Sequence, residues 1–307
     1  MLLIFFTLVS KIIPLYLLIA LGYIAGKYLQ ASKETVARIL IYIIAPTIVF
    51  HSVLTTPLAA NILSLPLLFF VLSSFLCIVT FTLVKHTWPD ATKNILAFTA
   101  GSGNTGYFGL PVAIALFGDA VAGLVILSTL GLIVYENTVG FFVTARGHHT
   151  IRESIIRLLR LPTLYAFFLA YILNITGFKL TQGLMDFALL FRGAYTILGM
   201  MLIGLALANI PRFKLDIKFI TVSFTVKFIV WPIAMFTIIA LDKAFLGFFT
   251  EQIHSVMILL SIVPLAANTV AFATELRTHP EKAASAVLLS TVFALFYIPF
   301  ISVLFLT

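Results

Sequence analysis

The stretch Asn94–Phe117, NILAFTAGSGNTGYFGLPVAIALF, decides how the chain is read. Its two ends are apolar, and together they are long enough to cross a bilayer core of about 30 Å. Its middle is not ordinary helix. Gly101, Gly103, Gly106, Gly109 and Pro111 loosen the backbone where lipid offers no hydrogen bonds, and Ser102, Asn104 and Thr105 bring polar groups to the same depth. Gly101–Gly106 also spells G-x-G-x-x-G, but a dinucleotide fingerprint needs a preceding strand, a βαβ unit and a downstream acid. Here it is flanked by apolar helix. The stretch reads as a membrane helix interrupted at its centre.

The rest of the chain has the same character. Of 307 residues 62% are hydrophobic and 10% are charged, where soluble domains carry roughly 25% charged residues. Apolar blocks of about 17–25 residues recur, without the ~10-residue alternation of a β-barrel. About ten spans are expected, over 5–29, 35–55, 62–84, 94–117, 121–144, 160–178, 184–208, 217–240, 254–274 and 282–305. The first block lacks a basic leader and a small-residue cleavage site, so it is read as a span and not as a signal peptide. Cys77, the single cysteine, lies inside an apolar block and is assigned to packing.

The net charge of +8 is not a nucleic-acid footprint, because the basic residues sit in short loops. Loops after odd-numbered spans hold Lys27, Lys33 and Arg38; Lys85 and Lys93; Arg146, Arg152, Arg157 and Arg160; Arg212, Lys214 and Lys218; and Arg277 and Lys282. The other side holds little beyond Lys179 and Lys243. The positive-inside rule then makes the odd loops cytoplasmic and puts both termini outside a multi-pass cell-membrane protein.

The basic stretch Ala145–Arg160 divides the chain into five spans over 1–145 and five over 161–307, with 146–160 as a cytoplasmic linker. An odd number of spans per half inverts the second half relative to the first. Inverted repeats with interrupted helices in matching positions are a secondary-transporter design. The counterpart of span 4 is span 9, where Pro264 is followed by Ala266-Ala267-Asn268-Thr269. Half-helix N-termini facing one cavity, with unpaired N–H groups beside Asn104 and Thr105, would attract an anion. The alternative is that Asn104 and Asn268 cap the broken helices.

Ionisable residues inside spans are functional candidates by default. Glu136 and Lys227 lie mid-span in spans 5 and 8, which are placed to pair them, either structurally or for binding and releasing a proton. His51, near the end of span 2, is either a hydrogen-bonded interfacial histidine or a coupling residue. Arg192 reads as snorkelling to the outer interface, and His148 and His149 as solvated loop residues with nothing nearby to complete a metal set. There is no P-loop and no H-E-x-x-H, no paired aspartate motif within a span, and no nucleophile with a base beside it. Neither enzyme chemistry nor a cofactor or metal is expected.

Several segments in order resemble the auxin efflux carrier family of plant carriers and bacterial permeases. They are Ile13-Pro14-Leu15-Tyr16 with Leu21-Gly22-Tyr23, Ala45-Pro46 with Phe50-His51, Asn104 through Pro111, Gly199-Met200 through Gly204-Leu205, Lys227 with Trp231-Pro232, and Val263-Pro264 through Phe272-Ala273. The resemblance implies broken spans 4 and 9 that cross at the substrate site, a usually dimeric scaffold of spans 1, 2, 6 and 7, and a transport domain of spans 3–5 and 8–10 moving as an elevator. It implies small organic acids as substrates, with Asn104, Thr105, Gly106 and Pro111 at the first crossover and Asn268 and Thr269 at the second. Thr269 stands where the plant carriers have proline, their acidic residue of the third span is missing, and their long hydrophilic loop is reduced to Ala145–Arg160. Left open at this level are a sodium-coupled symporter of the same fold and a sensor built on a carrier fold.

Overall fold

The computed structural model describes residues 2–145, 152, 155, 156, 159–208 and 215–305. All regular structure among them is helical. Arg146, His148, His149, Arg157, Arg212 and Lys214 lie outside the described residues, as does most of the 146–160 linker.

Among the described residues, seven helices are long and apolar enough to cross a membrane: α1 (Leu2–Tyr28), α2 (Lys33–Thr55), α3 (Ala60–Val84), α5 (Asp119–Thr144), α7 (Gln182–Ala208), α8 (Ile217–Leu246) and α10 (Pro280–Phe305). Three expected spans take another form. The sixth is the short helix α6 (Pro162–Ile175). The fourth is two pieces, α4a (Thr92–Gly101) and α4b (Leu110–Phe117), and the ninth is also two pieces, α9a (Glu251–Ile262) and α9b (Asn268–Glu275).

Local chemistry sets these interruptions. α4a ends where Ser102, between two glycines, takes an extended conformation (φ −97°, ψ 161°). α9a ends at Val263 (φ −64°, ψ 155°), because the residue before a proline is pushed out of the helical region by the ring of Pro264. Three π-helical turns, Leu40–Ile44, Thr105–Gly109 and Val226–Val230, each end two residues before a proline: Pro46, Pro111 and Pro232. The widened turn accommodates a ring that would strike the preceding carbonyls. Next to Pro232 the freed carbonyl of Phe228 accepts the Tyr297 hydroxyl.

α1 runs along α7 and α2 along α6, while α3 packs on α4a and α5, and α8 on α10. The carbonyls at the end of α2 are closed by Asn174 of α6, whose amide donates to Val53, Leu54 and Thr56. At the basic-loop end, Lys282 of α10 bridges Asp216 at the start of α8 (2.8 Å) and Thr92 at the start of α4a (2.9 Å). At the opposite end, buried Asp242 accepts the Phe248 and Phe249 amides and faces His254 Nε2 at 2.9 Å, closing the α8–α9a turn.

The α1–α7 contact is a close backbone approach through glycine. A Cβ on Gly22 would lie 2.1 Å from the Met201 carbonyl, and one on Gly204 would lie 2.0 Å from the Ile19 carbonyl. Small residues allow such contact in lipid, where packing rather than water drives association. Gly22→Ala is expected to force the pair apart at a cost of about 1–3 kcal/mol, the usual overpacking penalty. Gly183→Ala, with open space around it, is the neutral control. Thermal unfolding in detergent reads both, and an unchanged Gly22→Ala melt would contradict the packing.

Candidate functional site

The two interruptions meet. The Asn104 amide N–H donates to the Pro264 carbonyl at 2.9 Å, joining the break of α4 to that of α9 through the main chain. Ser102 Oγ and Thr269 Oγ1, 3.2 Å apart, make a second tie. Interrupted helices leave end groups that lipid cannot satisfy, and here neighbouring side chains satisfy those of α4a. The Tyr135 hydroxyl donates to Phe98 O (2.9 Å), Trp231 Nε1 to Ala100 O (2.8 Å), and the Ser102 amide and hydroxyl to Thr99 O. Across the crossing, the Leu265 amide donates to Ser290 Oγ at 3.1 Å.

This corrects one expectation. The backbone N–H groups of Asn104 and Thr105 are not free, since Asn104 bonds Pro264 and Thr105 bonds Gly103 O at 2.8 Å. The available donor is a side chain. Asn104 is 4% exposed, its side chain makes no capping bond, and its Nδ2 has no partner. Asn268 does not cap either; its Nδ2 donates to Glu136 Oε2 at 3.0 Å.

A cavity of about 710 Å³ opens at this crossing, within the range of small-molecule sites. Gly103 to Tyr107 line it from α4, Ala266 to Asn268 from α9, and Glu136 and Asn137 from a π-helical turn of α5. Tyr195 closes it from α7, its ring 5.4 Å from that of Tyr107. Its lining continues to Arg160, just before α6, and to Glu275, the last residue of α9b, so its mouth faces the end that carries the basic loops. Among the described residues, no group of three or more His, Cys, Asp or Glu is placed to hold a metal ion.

Asn104, Thr105, Gly106, Asn268 and Glu136 therefore share one cavity wall. Pro111 and Thr269 stand behind it: Pro111 is buried in the first turn of α4b, and Thr269 is tied to Ser102. Glu136 and Lys227 do not form an ion pair. Lys227, 1% exposed, holds its ammonium 4.7 Å over the Trp231 ring and against Gly103, where a Cβ would come within 2.7 Å of Nζ. His51 is outside the cavity, its Nε2 buried without a partner. Arg192 pairs with Asp119 at 3.4 Å, at the α4b–α5 turn.

Sequence reasoning missed Tyr107, Tyr195, Thr129 and Asn137 as lining residues. Asn137 had a signal, as the polar neighbour of Glu136 in an apolar span. The tyrosines and the threonine had none, because such residues are ordinary in membrane helices.

A cavity at the junction of two interrupted membrane helices, with amides and a carboxylate in its wall, is the kind of site a polytopic membrane transporter carries. The sequence comparisons agree: the chain belongs to the membrane transport protein family, that of the auxin efflux carriers, whose profile matches residues 7–302. It is also 28% identical over 295 residues to an uncharacterized transporter of Methanocaldococcus jannaschii, covering 92% of this chain and 94% of that protein.

The capping of α4a by Trp231 is separately testable. Trp231→Phe keeps an aromatic ring but leaves the Ala100 carbonyl unpaired in the membrane interior. It is expected to cost about 1–3 kcal/mol, the penalty for a buried orphan group, and to lower the thermal midpoint. A wild-type midpoint would show that the bond contributes nothing.

Proposed function

We propose that the protein is a secondary carrier of small organic anions, working by alternating access without ATP. The observation that carries this reading is Asn104. Its amide donor is buried, unpartnered and set in the wall of a cavity where two broken helices cross. A carboxylate satisfies such a donor with a charge-assisted hydrogen bond, stronger than a neutral one. Asn268 offers a second amide from the opposite break, and Thr105 and Gly106 shape the wall between them.

The larger architecture follows as part of the same proposal. Spans 1–5 and 6–10 are two inverted repeats over 1–145 and 161–307, joined by the 146–160 linker. Advancing each span by five exchanges α4 with α9, and turns the α1–α7 contact into the α6–α2 contact; both pairings are what a two-fold pseudosymmetry requires. In this scheme α1, α2, α6 and α7 are the scaffold, with a second copy of the chain completing a homodimer. Spans 3–5 and 8–10 move as an elevator, tied at one end by the Lys282–Asp216–Thr92 bridge. The basic loops put the cavity mouth in the cytoplasm and both termini outside.

The test is uptake of radiolabelled malate, malonate and indole-3-acetate by proteoliposomes. Saturable flux of at least one acid is expected. Asn104→Ala should weaken it about tenfold or more, given about 1.5–3 kcal/mol for a hydrogen bond to a charged group. Binding without flux would point to a sensor, and full activity of Asn104→Ala would remove the asparagine from the site.

A further inference from the structure

The cavity contains a contradiction if it binds anions: its own carboxylate. Glu136 is 3% exposed, lines the cavity, and accepts from Asn268 Nδ2 at 3.0 Å. Asn268 Nδ2 carries two hydrogens. An anion bonded to the second would lie about 5 Å from the Glu136 oxygen, from two ordinary N–H···O lengths about one nitrogen. Two negative charges at that separation repel more strongly inside a protein than in bulk water. Something must offset one of them.

Among the described residues Glu136 has no cation partner; its carboxylate is held by the Asn268 amide. The phenols of Tyr42 on α2, Tyr107 on α4 and Tyr195 on α7 line the cavity with Glu136, and Tyr135 precedes it on its own helix; none brings positive charge. Lys227 of α8 lies over the Trp231 ring and against Gly103, and makes no ion pair with Glu136. Arg160 and Glu275 stand at the mouth, one of each sign. Glu136 also sits in a π-helical turn, Glu136–Gly140, with no proline nearby to account for it; such turns recur at functional sites.

Resting on the organic-anion reading above, we infer that Glu136 takes up one proton with each substrate anion, making the carrier a proton–anion symporter. A proton from water on the loading side bonds to a Glu136 carboxyl oxygen and cancels the clash. The neutral acid releases its hold on Asn268, whose amide is then available to the substrate alongside Asn104. On the opposite face the anion leaves, the proton returns to water, and the carboxylate re-forms its bond to Asn268. Proton and anion move in the same direction, so acid outside drives uptake.

The experiment has two parts. In the first, malate or malonate is added to wild-type protein in weakly buffered detergent solution containing a pH-sensitive dye, with binding followed by calorimetry. One proton taken up per anion bound is expected. Anion binding without proton uptake would overturn the coupling and leave the anion reading intact. Binding of neither acid, together with no uptake into proteoliposomes, would overturn both. In the second part, uptake is measured with the membrane potential clamped to zero. Lowering the outside pH by one unit should raise wild-type steady-state accumulation about tenfold, the factor for one proton. Glu136→Gln, an uncharged isostere of the protonated acid, should still equilibrate the acid across the membrane while losing that response. A Glu136→Gln carrier that still accumulates acid against a pH gradient would refute the assignment. The wild-type stoichiometry stands as the test even if the variant fails to fold.

Discussion

Lipid offers no hydrogen bonds, so a helix broken inside the membrane must find partners for its severed ends within the protein. The bond from the Asn104 amide to the Pro264 carbonyl is where this constraint is met. Each break satisfies part of the other, and neither half-helix pair is self-sufficient. The remaining ends are closed by Tyr135 of α5, Trp231 of α8 and Ser290 of α10. Helices α5, α8 and α10 are thereby tied to the crossing. The cavity is the space left where two chains that have lost their helical regularity pass each other.

Much of this was legible beforehand, and for physical reasons. Apolar block length is set by bilayer thickness, so most of the long helices could be placed within a few residues; 121–144 became Asp119–Thr144, while 217–240 ran on to Leu246. Pro264 and the glycines of 101–109 marked the breaks because their backbone constraints are intrinsic to the residues. The use made of the freed donors was not legible. Local sequence implies open N–H groups beside Asn104, while the Pro264 carbonyl takes that of Asn104 and the nearby Gly103 carbonyl that of Thr105. Nor does periodicity say which faces meet. Glu136 and Lys227 are both mid-span and opposite in charge, yet the carboxylate found Asn268 and the ammonium found the face of Trp231. Tyr195, which reaches the cavity from α7, carries no local mark of its position.

The charged groups inside the membrane divide by what surrounds them. Lys227 is held by packing against an aromatic face and a glycine, an arrangement that fixes the crossing. Glu136 looks into space that a ligand would enter and holds an amide that the ligand would need. Membrane carriers keep such costly residues where their charge changes during the cycle, and of the two only Glu136 lines the cavity. The surface between α7 and the break of α4 is made by Tyr107, Tyr195, Gly106 and Gly199, where the proposed moving unit meets the proposed scaffold. Its two glycines let the tyrosine rings approach the backbone.

The central claim is that one cavity at the crossing serves both sides of the membrane in turn. Ala267 lines it at the break of α9, and Cys77 is the chain's single, buried cysteine. The most direct measurement is therefore the reactivity of Ala267→Cys, in a Cys77→Ser background, toward a membrane-impermeant maleimide applied from each face of proteoliposomes, with and without a transported acid. The account predicts labelling from both faces and protection by the acid on both. Labelling from one face alone, or labelling indifferent to an acid the protein carries, would contradict it.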